Sequence, residues 1–353
     1  MSVRTALNVA SWLHTFDKSK SFSTINPSKK ITMPDVVTKI NFYDKLNAAF
    51  VSMITPEMAE LNGLRKRNSY ASTPSLEKPY DMPIEMVSID GVKIRMATSW
   101  LAEERETIIL LSAFPHSIIA YSPIWQELKT EFNLFAYDLP GFGGSESKPE
   151  YMSFEYQGDF LAMFIKHFSI EQSHIVGPDV GMPSTLSYII NHKHQIKSIM
   201  IGDGPAALPT SEPSIMKKMV HSGFWRSMFV VAGSGALIES AKNLGNVKYV
   251  PNKYEISDYK ASYSGKVAKC MSWFKKYPES VVKIDNNLDK VRVPTKIFWG
   301  EHEAILHKKN AENLHNKLSV SELEIFDGCG HFVYQDDFPR FIKLIKGWVT
   351  KHQ

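Results

Sequence analysis

Cysteine is nearly absent, with Cys270 and Cys329 the only two in 353 residues. So small a number excludes a disulfide framework, and their separation matches no zinc-ligand spacing. A reducing compartment follows by default, and a cytoplasmic location is the expectation. Charge of one sign is also missing: lysine and arginine number 41 against 37 acids. Eleven basic and six acidic residues fall in the first 80 positions, which leaves the rest of the chain about neutral. A neutral body argues against a nucleic-acid enzyme, because gripping phosphates needs clustered cations on the working surface. Long hydrophobic runs are lacking too. The least charged stretch, Ser227 to Ile238, is about twelve residues, whereas a bilayer span needs roughly 20, so no membrane span is expected. There is no phosphate loop, dinucleotide fingerprint, metal-ligand cluster, internal repeat or low-complexity tract. No cofactor and no metal is therefore implied, a small-molecule substrate is the expected partner, and self-association is left open.

What is there is a globular composition, 43% apolar and 22% charged, which excludes disorder throughout. Met1 to Ile31 carries Asp17 as its one acid, five basic residues and many Ser/Thr. Ala6 to Leu13 has the pattern of a weakly amphipathic helix, too short and polar for a secretory core. An organelle transit leader and an N-terminal arm both remain open readings. From Asp35 to Val51, Val36, Val37, Ile40, Tyr43, Leu46 and Phe50 recur at helical spacing, which predicts an amphipathic helix packed on the main body. Leu64 to Pro83, with Arg65-Lys66-Arg67 and a Ser/Pro-rich run, reads as an exposed linker.

Beyond the linker the texture changes. Glu85 to Ile94, with Asp90-Gly91 at its centre, predicts a hairpin. Strands are expected at Thr107 to Ser112, Leu134 to Tyr137, His174 to Gly177, Ile199 to Ile201, Thr295 to Trp299 and Leu323 to Phe326. Helices are expected at Ser122 to Phe132, Phe154 to Phe168, Met182 to His192, Lys309 to Leu318 and Pro339 to Val349. Such alternation predicts α/β architecture, a mostly parallel sheet with helices on both faces. The rhythm stops between about Ala206 and Ser280, where Met, Phe, Trp and Tyr are dense. That stretch is read as a helical cap over the carboxyl edge of the sheet, where parallel strands place their functional loops. The expected organisation is an N-terminal extension at 1–83, a core at 84–205, the cap at 206–280 and the rest of the core at 281–353.

The chemistry-bearing segment is His174-Ile175-Val176-Gly177-Pro178-Asp179-Val180-Gly181-Met182-Pro183. A strand runs into a helix through small-x-Asp-x-small, the pattern of an elbow that exposes its central side chain beside helix N–H groups. The usual central residue is serine; a carboxylate at Asp179 is already nucleophilic once ionised. The competing reading is an Asp that only caps the following helix. Gly328-Cys329-Gly330-His331 sets a histidine in a late loop, and Trp299-Gly300-Glu301-His302-Glu303 offers a carboxylate to orient it.

Together with Ala136-Tyr137-Asp138-Leu139-Pro140-Gly141-Phe142-Gly143-Gly144-Ser145, these segments make the chain from about Glu85 to its end resemble the α/β-hydrolase superfamily. The aspartate in the elbow resembles the branch of epoxide hydrolases and haloalkane and fluoroacetate dehalogenases. The resemblance implies Asp179 as a nucleophile that forms an ester, His331 as base for water, and Glu303 as its orienting acid. Asp203, after the preceding strand, is the alternative acid. Leu111-Ser112-Ala113-Phe114-Pro115 resembles the family's His-Gly-x-Pro turn without its His-Gly. The main-chain N–H groups of Phe114 and Val180 would then form the oxyanion hole. Pro115, Trp225, Tyr259, Tyr263, Trp273 and Phe274 are the expected substrate-binding residues.

Two departures bear on the substrate. Val180 stands where dehalogenases and many epoxide hydrolases of the branch carry an aromatic residue or arginine, so no side-chain donor for a halide is evident. The paired tyrosine of epoxide hydrolases corresponds to Trp273-Phe274, leaving Tyr249, Tyr254, Tyr259 and Tyr263 as available hydroxyls. Ala232-Gly233-Ser234-Gly235-Ala236 repeats the small-x-Ser-x-small pattern but lies outside the strand/helix alternation. The leading reading is a cofactor-free, epoxide hydrolase-like enzyme. The alternatives are a haloalkane or haloacid dehalogenase, a cofactor-independent oxygenase or lyase, and a non-catalytic ligand-binding protein.

Overall fold

A computed structural model describes residues 38–67, 82–193, 195–205 and 207–353. The chain enters through α1 (Phe42–Met53) and α2 (Glu57–Arg67). The hairpin β1 (Ile84–Ile89) and β2 (Val92–Ser99) follows, turning through Asp90 at φ 49° and Gly91 at φ 78°. Two positive φ values are what a tight two-residue turn needs, and Asp-Gly tolerates them. Next come β3 (Thr107–Leu111), α3 (Ser122–Leu128), β4 (Asn133–Tyr137), α4 (Phe154–His167), β5 (Ser173–Pro178), α5 (Gly181–Asn191) and β6 (Ile196–Gly202). Four helices then intervene: α6 (Ser214–His221), α7 (Gly223–Gly245), α8 (Lys253–Tyr263) and α9 (Val267–Asp285). The alternation resumes with β7 (Thr295–Gly300), α10 (Lys309–Lys317), β8 (Ser321–Phe326), the short α11 (Val333–Asp336) and α12 (Phe338–Lys351).

The strands form one eight-stranded sheet in the order β1-β2-β4-β3-β5-β6-β7-β8. β1 and β2 pair antiparallel, as do β2 and β4, and every other neighbour is parallel. The central strands β3, β4, β5 and β7 are buried along their whole length. Continuous apolar runs such as Thr107-Ile108-Ile109-Leu110-Leu111 fit a strand covered on both faces. Strand order reverses beside β3, between β4 and β5, and a crevice at the carboxyl ends of the strands is expected there. Asp179 follows β5 at that place.

The intervening helices are tied to the core by buried charge. Arg95 on β2 donates two hydrogen bonds to Asp258 on α8, at 3.0 and 2.7 Å. Ser117 Oγ donates to the same carboxylate at 2.5 Å. Burial pulls the guanidinium down, but the charges of Asp258 and Asp138 outweigh it and raise its pKa. Removing one partner strands the other charge in the interior, a loss of about 3–5 kcal/mol.

Two expectations for the N-terminal region need correction. Helix α1 does not turn its aromatic stripe inward: Asp44, Ala48 and Val51 are its buried residues, while Tyr43, Leu46 and Phe50 are exposed. Val36 and Val37 lie outside the described residues. Leu64 to Arg67 belongs to α2 rather than to a linker, and Arg65 donates to the carbonyl oxygens of Asn243 and Asn246. Those carbonyls sit at the end of α7, where unpaired helix C=O groups attract a cation. Residues 68–81, most of the expected linker, lie outside the described residues, as does the segment Met1 to Ile31.

Candidate active site

Asp179 holds a left-handed backbone, φ 49°, between β5 and α5. A non-glycine residue pays a steric penalty there, tolerated where surrounding structure imposes it. Close packing does so: a Cβ on Gly204 would lie 2.2 Å from the carbonyl oxygen of Asp179. The helix begins after Val180 without any side-chain cap, so Asp179 does not serve α5 as a capping residue. Its carboxylate turns toward the exit of β3, where Phe114 N–H donates to Oδ2 at 2.6 Å.

The other oxygen, Oδ1, stands 3.7 Å from Nε2 of His331. The opposite ring nitrogen, Nδ1, meets Glu303 Oε2 at 2.5 Å. Glu303 is itself oriented by Ile305 N–H at 2.6 Å and Leu306 N–H at 3.1 Å, both donating to Oε1. The loops bearing His331 and Glu303 touch because Gly300 and Gly330 carry no side chains. A Cβ on Gly300 would fall 2.0 Å from the Gly330 carbonyl.

Burial raises the Asp179 carboxyl to about 6, partly offset by His331 and by the N–H groups of Phe114 and Val180. Burial pulls His331 down, yet the charge and hydrogen bond of Glu303, with the charge of Asp179, hold its pKa above the ordinary histidine range. The two shifts have one origin. Each group loses hydration; the charge of His331 is the main compensation for Asp179, and Glu303 is the main compensation for His331.

Asp179 and His331 open onto a cavity of about 90 Å³. Its wall is apolar, contributed by Phe114, Pro115 and Val180 from the core and by Met216, Met219, Leu244, Trp273 and Phe274 from the intervening helices. Besides Asp179 and His331, the hydroxyl-bearing side chains on it are Ser240 and Tyr277. Among the described residues no group of three or more His, Cys, Asp or Glu is placed to hold a metal ion.

The expected residues divide clearly. Asp179, His331, Glu303 and the Phe114 and Val180 N–H groups come together, and Pro115, Trp273 and Phe274 line the cavity. Asp203 takes a different place: its Oδ1 accepts from Gly300 N–H at 3.1 Å, beneath the end of β7, while Glu303 occupies Nδ1 of the imidazole. Trp225, Tyr259 and Tyr263, expected to bind substrate, do not line the cavity. Trp225 faces an outer groove beside α1. Tyr259 stacks on His116 with ring centroids 4.5 Å apart and accepts from Gln335. Tyr263 spends its hydroxyl on the core, donating to His116 O at 2.8 Å and accepting from Gly143 N–H at 2.9 Å. Ser234 sits within α7, next to the kink at Gly233, and is not on the cavity wall.

Two residues escaped the sequence reading. Tyr277 lies one helical turn after Trp273 on α9, so the i, i+4 spacing from a recognised lining residue was its available signal. Its hydroxyl is buried, with Thr210 and Glu212 as polar neighbours. Asp336 accepts from the backbone N–H groups of Gly330, Val247, Lys248 and Tyr249 at 2.8–3.0 Å. It clamps the His331 loop to the end of α7, and no local sequence pattern announces that role.

A strand-to-helix elbow, a late histidine and a carboxylate on one sheet edge define the α/β-hydrolase class. The family described as alpha/beta hydrolase fold matches residues 106–338, well over half of the chain, and the protein belongs to it. It is 21% identical over 256 residues to the uncharacterized hydrolase YugF of Bacillus subtilis, covering 72% of this chain and 93% of that one. It is 22% identical over 246 residues to the mouse monoacylglycerol lipase ABHD6, covering 65% and 72%. Among solved structures, the epoxide hydrolase CorEH superposes with a TM-score of 0.66 at 16% identity, over 77% of this chain and all of that one. At such identity the likeness is one of fold.

Proposed function

We propose that the chain hydrolyses a small electrophilic substrate, an epoxide in the leading reading, through an ester formed on Asp179. The observation that carries this is the division of labour between the two carboxylate oxygens. In a serine elbow the oxyanion donors wait for an oxygen of the substrate. Here Phe114 N–H is already engaged by Asp179 Oδ2, so the oxygen it stabilises belongs to the nucleophile itself. Oδ1 is left to attack.

In the first half-reaction Oδ1 forms a bond to the electrophilic carbon and that carbon's bond to the epoxide oxygen breaks. The departing alkoxide takes a proton, for which Tyr277 is the hydroxyl we assign. The ester has no charge, so the Asp179 contribution holding His331 up disappears. Burial is then opposed by Glu303 alone, and the imidazole moves toward its neutral, basic form. In the second half-reaction Nε2 removes a proton from water, whose oxygen attacks Cγ of Asp179. The developing negative charge falls on Oδ2, between the Phe114 and Val180 N–H groups. Collapse breaks the Cγ–Oδ1 bond, the leaving oxygen takes the proton now on His331 Nε2, and the product alcohol is released with the imidazole neutral again.

The solved relatives of this fold include epoxide hydrolases, such as VrEH1 of Vigna radiata, superposing with a TM-score of 0.63 over 77% of this chain and 98% of that one. The test is to incubate His331→Gln with a panel of epoxides and haloalkanes, digest it and weigh the peptide containing Asp179. A substrate-sized mass increase, absent in Asp179→Asn, supports the ester, and halide release would move the reading to a dehalogenase. No adduct, together with no turnover of the panel by wild type, overturns it in favour of a binding or oxygenase role.

A further inference from the structure

Helix α1 is amphipathic in the wrong sense for a helix that covers a core. Phe42, Tyr43, Leu46, Phe50 and Met53 recur at spacings that place them on one face, and that face points to solvent. Phe42 and Tyr43 are each 73% exposed and Met53 84%. The orientation is held by polar contacts on the opposite side. Asp44 completes a capping box with Asn41 and accepts from Lys260 at 2.7 Å. Gly235 on α7 lets the helices approach, since a Cβ there would lie 2.2 Å from Asp44 Cγ.

The neighbouring start of α7 continues the apolar face, with Phe224 and Val231 exposed, the latter at 87%. Between the helices runs a groove of about 370 Å³ whose walls include Phe50, Trp225, Met228 and Phe229. Phe229 is buried and lines both the groove and the cavity that holds Asp179. Basic residues outnumber acids on α1, α6 and α7 taken together. Lys39, Lys45 and Lys217 are exposed, and no acid occurs between Pro213 and Ile238, where Lys217, Lys218 and Arg226 fall. The acid on α1, Asp44, is neutralised by Lys260.

We propose that this face seats the protein on an anionic lipid surface. A helix with exposed aromatic residues flanked by lysines lies in the headgroup plane, burying its apolar side and pairing its cations with lipid phosphates and carboxylates. No described helix is long and apolar enough to cross a membrane, so the contact is peripheral. It also faces the groove, and hence the Phe229 wall of the cavity, toward the lipid.

The test is co-sedimentation of the full chain with vesicles of phosphatidylcholine alone and with phosphatidylserine added. Wild type is expected to pellet with the anionic vesicles and to be released as salt rises. Phe42→Ser combined with Met53→Ser and Val231→Ser, and separately Lys39→Glu with Lys45→Glu and Lys217→Glu, should each weaken partitioning about tenfold. Unchanged circular dichroism and melting would show that neither set unfolds the chain, as expected for exposed positions. Wild type left in the supernatant with both vesicle types, or serine and glutamate variants that pellet like wild type, would overturn the proposal. So would self-association of wild type that is abolished by the serine set while vesicles recruit nothing, which would give the face to a second copy. The readout involves no catalysis, so it stands or falls separately from the ester mechanism.

Discussion

Nε2 of His331 stands 3.7 Å from Oδ1 of Asp179, too far for a strong hydrogen bond and close enough to deliver a water to the carboxyl carbon once an ester forms. That geometry decides where a solvent oxygen ends up. In a single turnover in ¹⁸O-water, the product alcohol should carry the old Asp179 oxygen and the label should appear in the Asp179 peptide. Label found in the product alone would mean direct attack of water on the substrate.

Glu303 touches Nδ1 at 2.5 Å and supplies the largest stabilisation of a charged His331. Glu303→Gln keeps an acceptor for the Ile305 and Leu306 N–H groups but removes the charge. The hydrolytic step is expected to slow by about 10²–10⁴-fold while ester formation persists. Rapid-quench kinetics should therefore record a burst of bound product followed by slow release.

Acidification should affect the two half-reactions separately. Asp179 must be ionised to attack, so ester formation falls as pH drops through about 6. His331 must be neutral to accept a proton from water, and its pKa is raised by Glu303 and Asp179 against burial. Asp179 carries no charge in the ester, so a limb limited by hydrolysis should lie lower than the free enzyme's imidazole titration, with Glu303 alone left to hold it toward the ordinary histidine range of about 6.5 against burial. Flat activity well below that range would contradict both assignments.

A nucleophile held at about 6 costs stability at neutral pH. The folded protein binds this proton more tightly than the unfolded chain, whose aspartate titrates near 3.9. The favourable contribution is therefore complete below the unfolded value and is lost as pH rises through the folded one. Asn cannot ionise. Asp179→Asn should match wild type near pH 4 and exceed it above pH 7 by on the order of 2–3 kcal/mol, read as a rise in melting temperature.

Tyr277, contributed by α9, lines the cavity. Tyr277→Phe removes the proton assigned to the leaving alkoxide and leaves the water-activating pair intact. Ester formation is expected to fall by about 10²–10⁴-fold with hydrolysis of a preformed ester unchanged. Equal slowing of both steps would mean that the residue serves only to shape the cavity.

Much of this protein follows from local pattern. The period-2 and apolar runs locate the hairpin and the six later strands, and the alternation with helical segments yields the α/β sheet. Gly177-Pro178-Asp179-Val180-Gly181 reads as an elbow because a strained turn needs small neighbours, a requirement written within five residues. What tertiary structure alone decides are choices between faces and between loops. Glu303 and Asp203 both end strands on the same edge, and only the packing of Gly300 against Gly330 brings Glu303, not Asp203, to the imidazole. Tyr259 and Tyr263 carry hydroxyls as Tyr277 does, yet they spend them on Gln335, His116 and Gly143. Helix α1 makes the point most plainly. Periodicity states which side chains share a face, but which way that face points is set by what the helix meets, here Lys260 and Gly235 against Asp44.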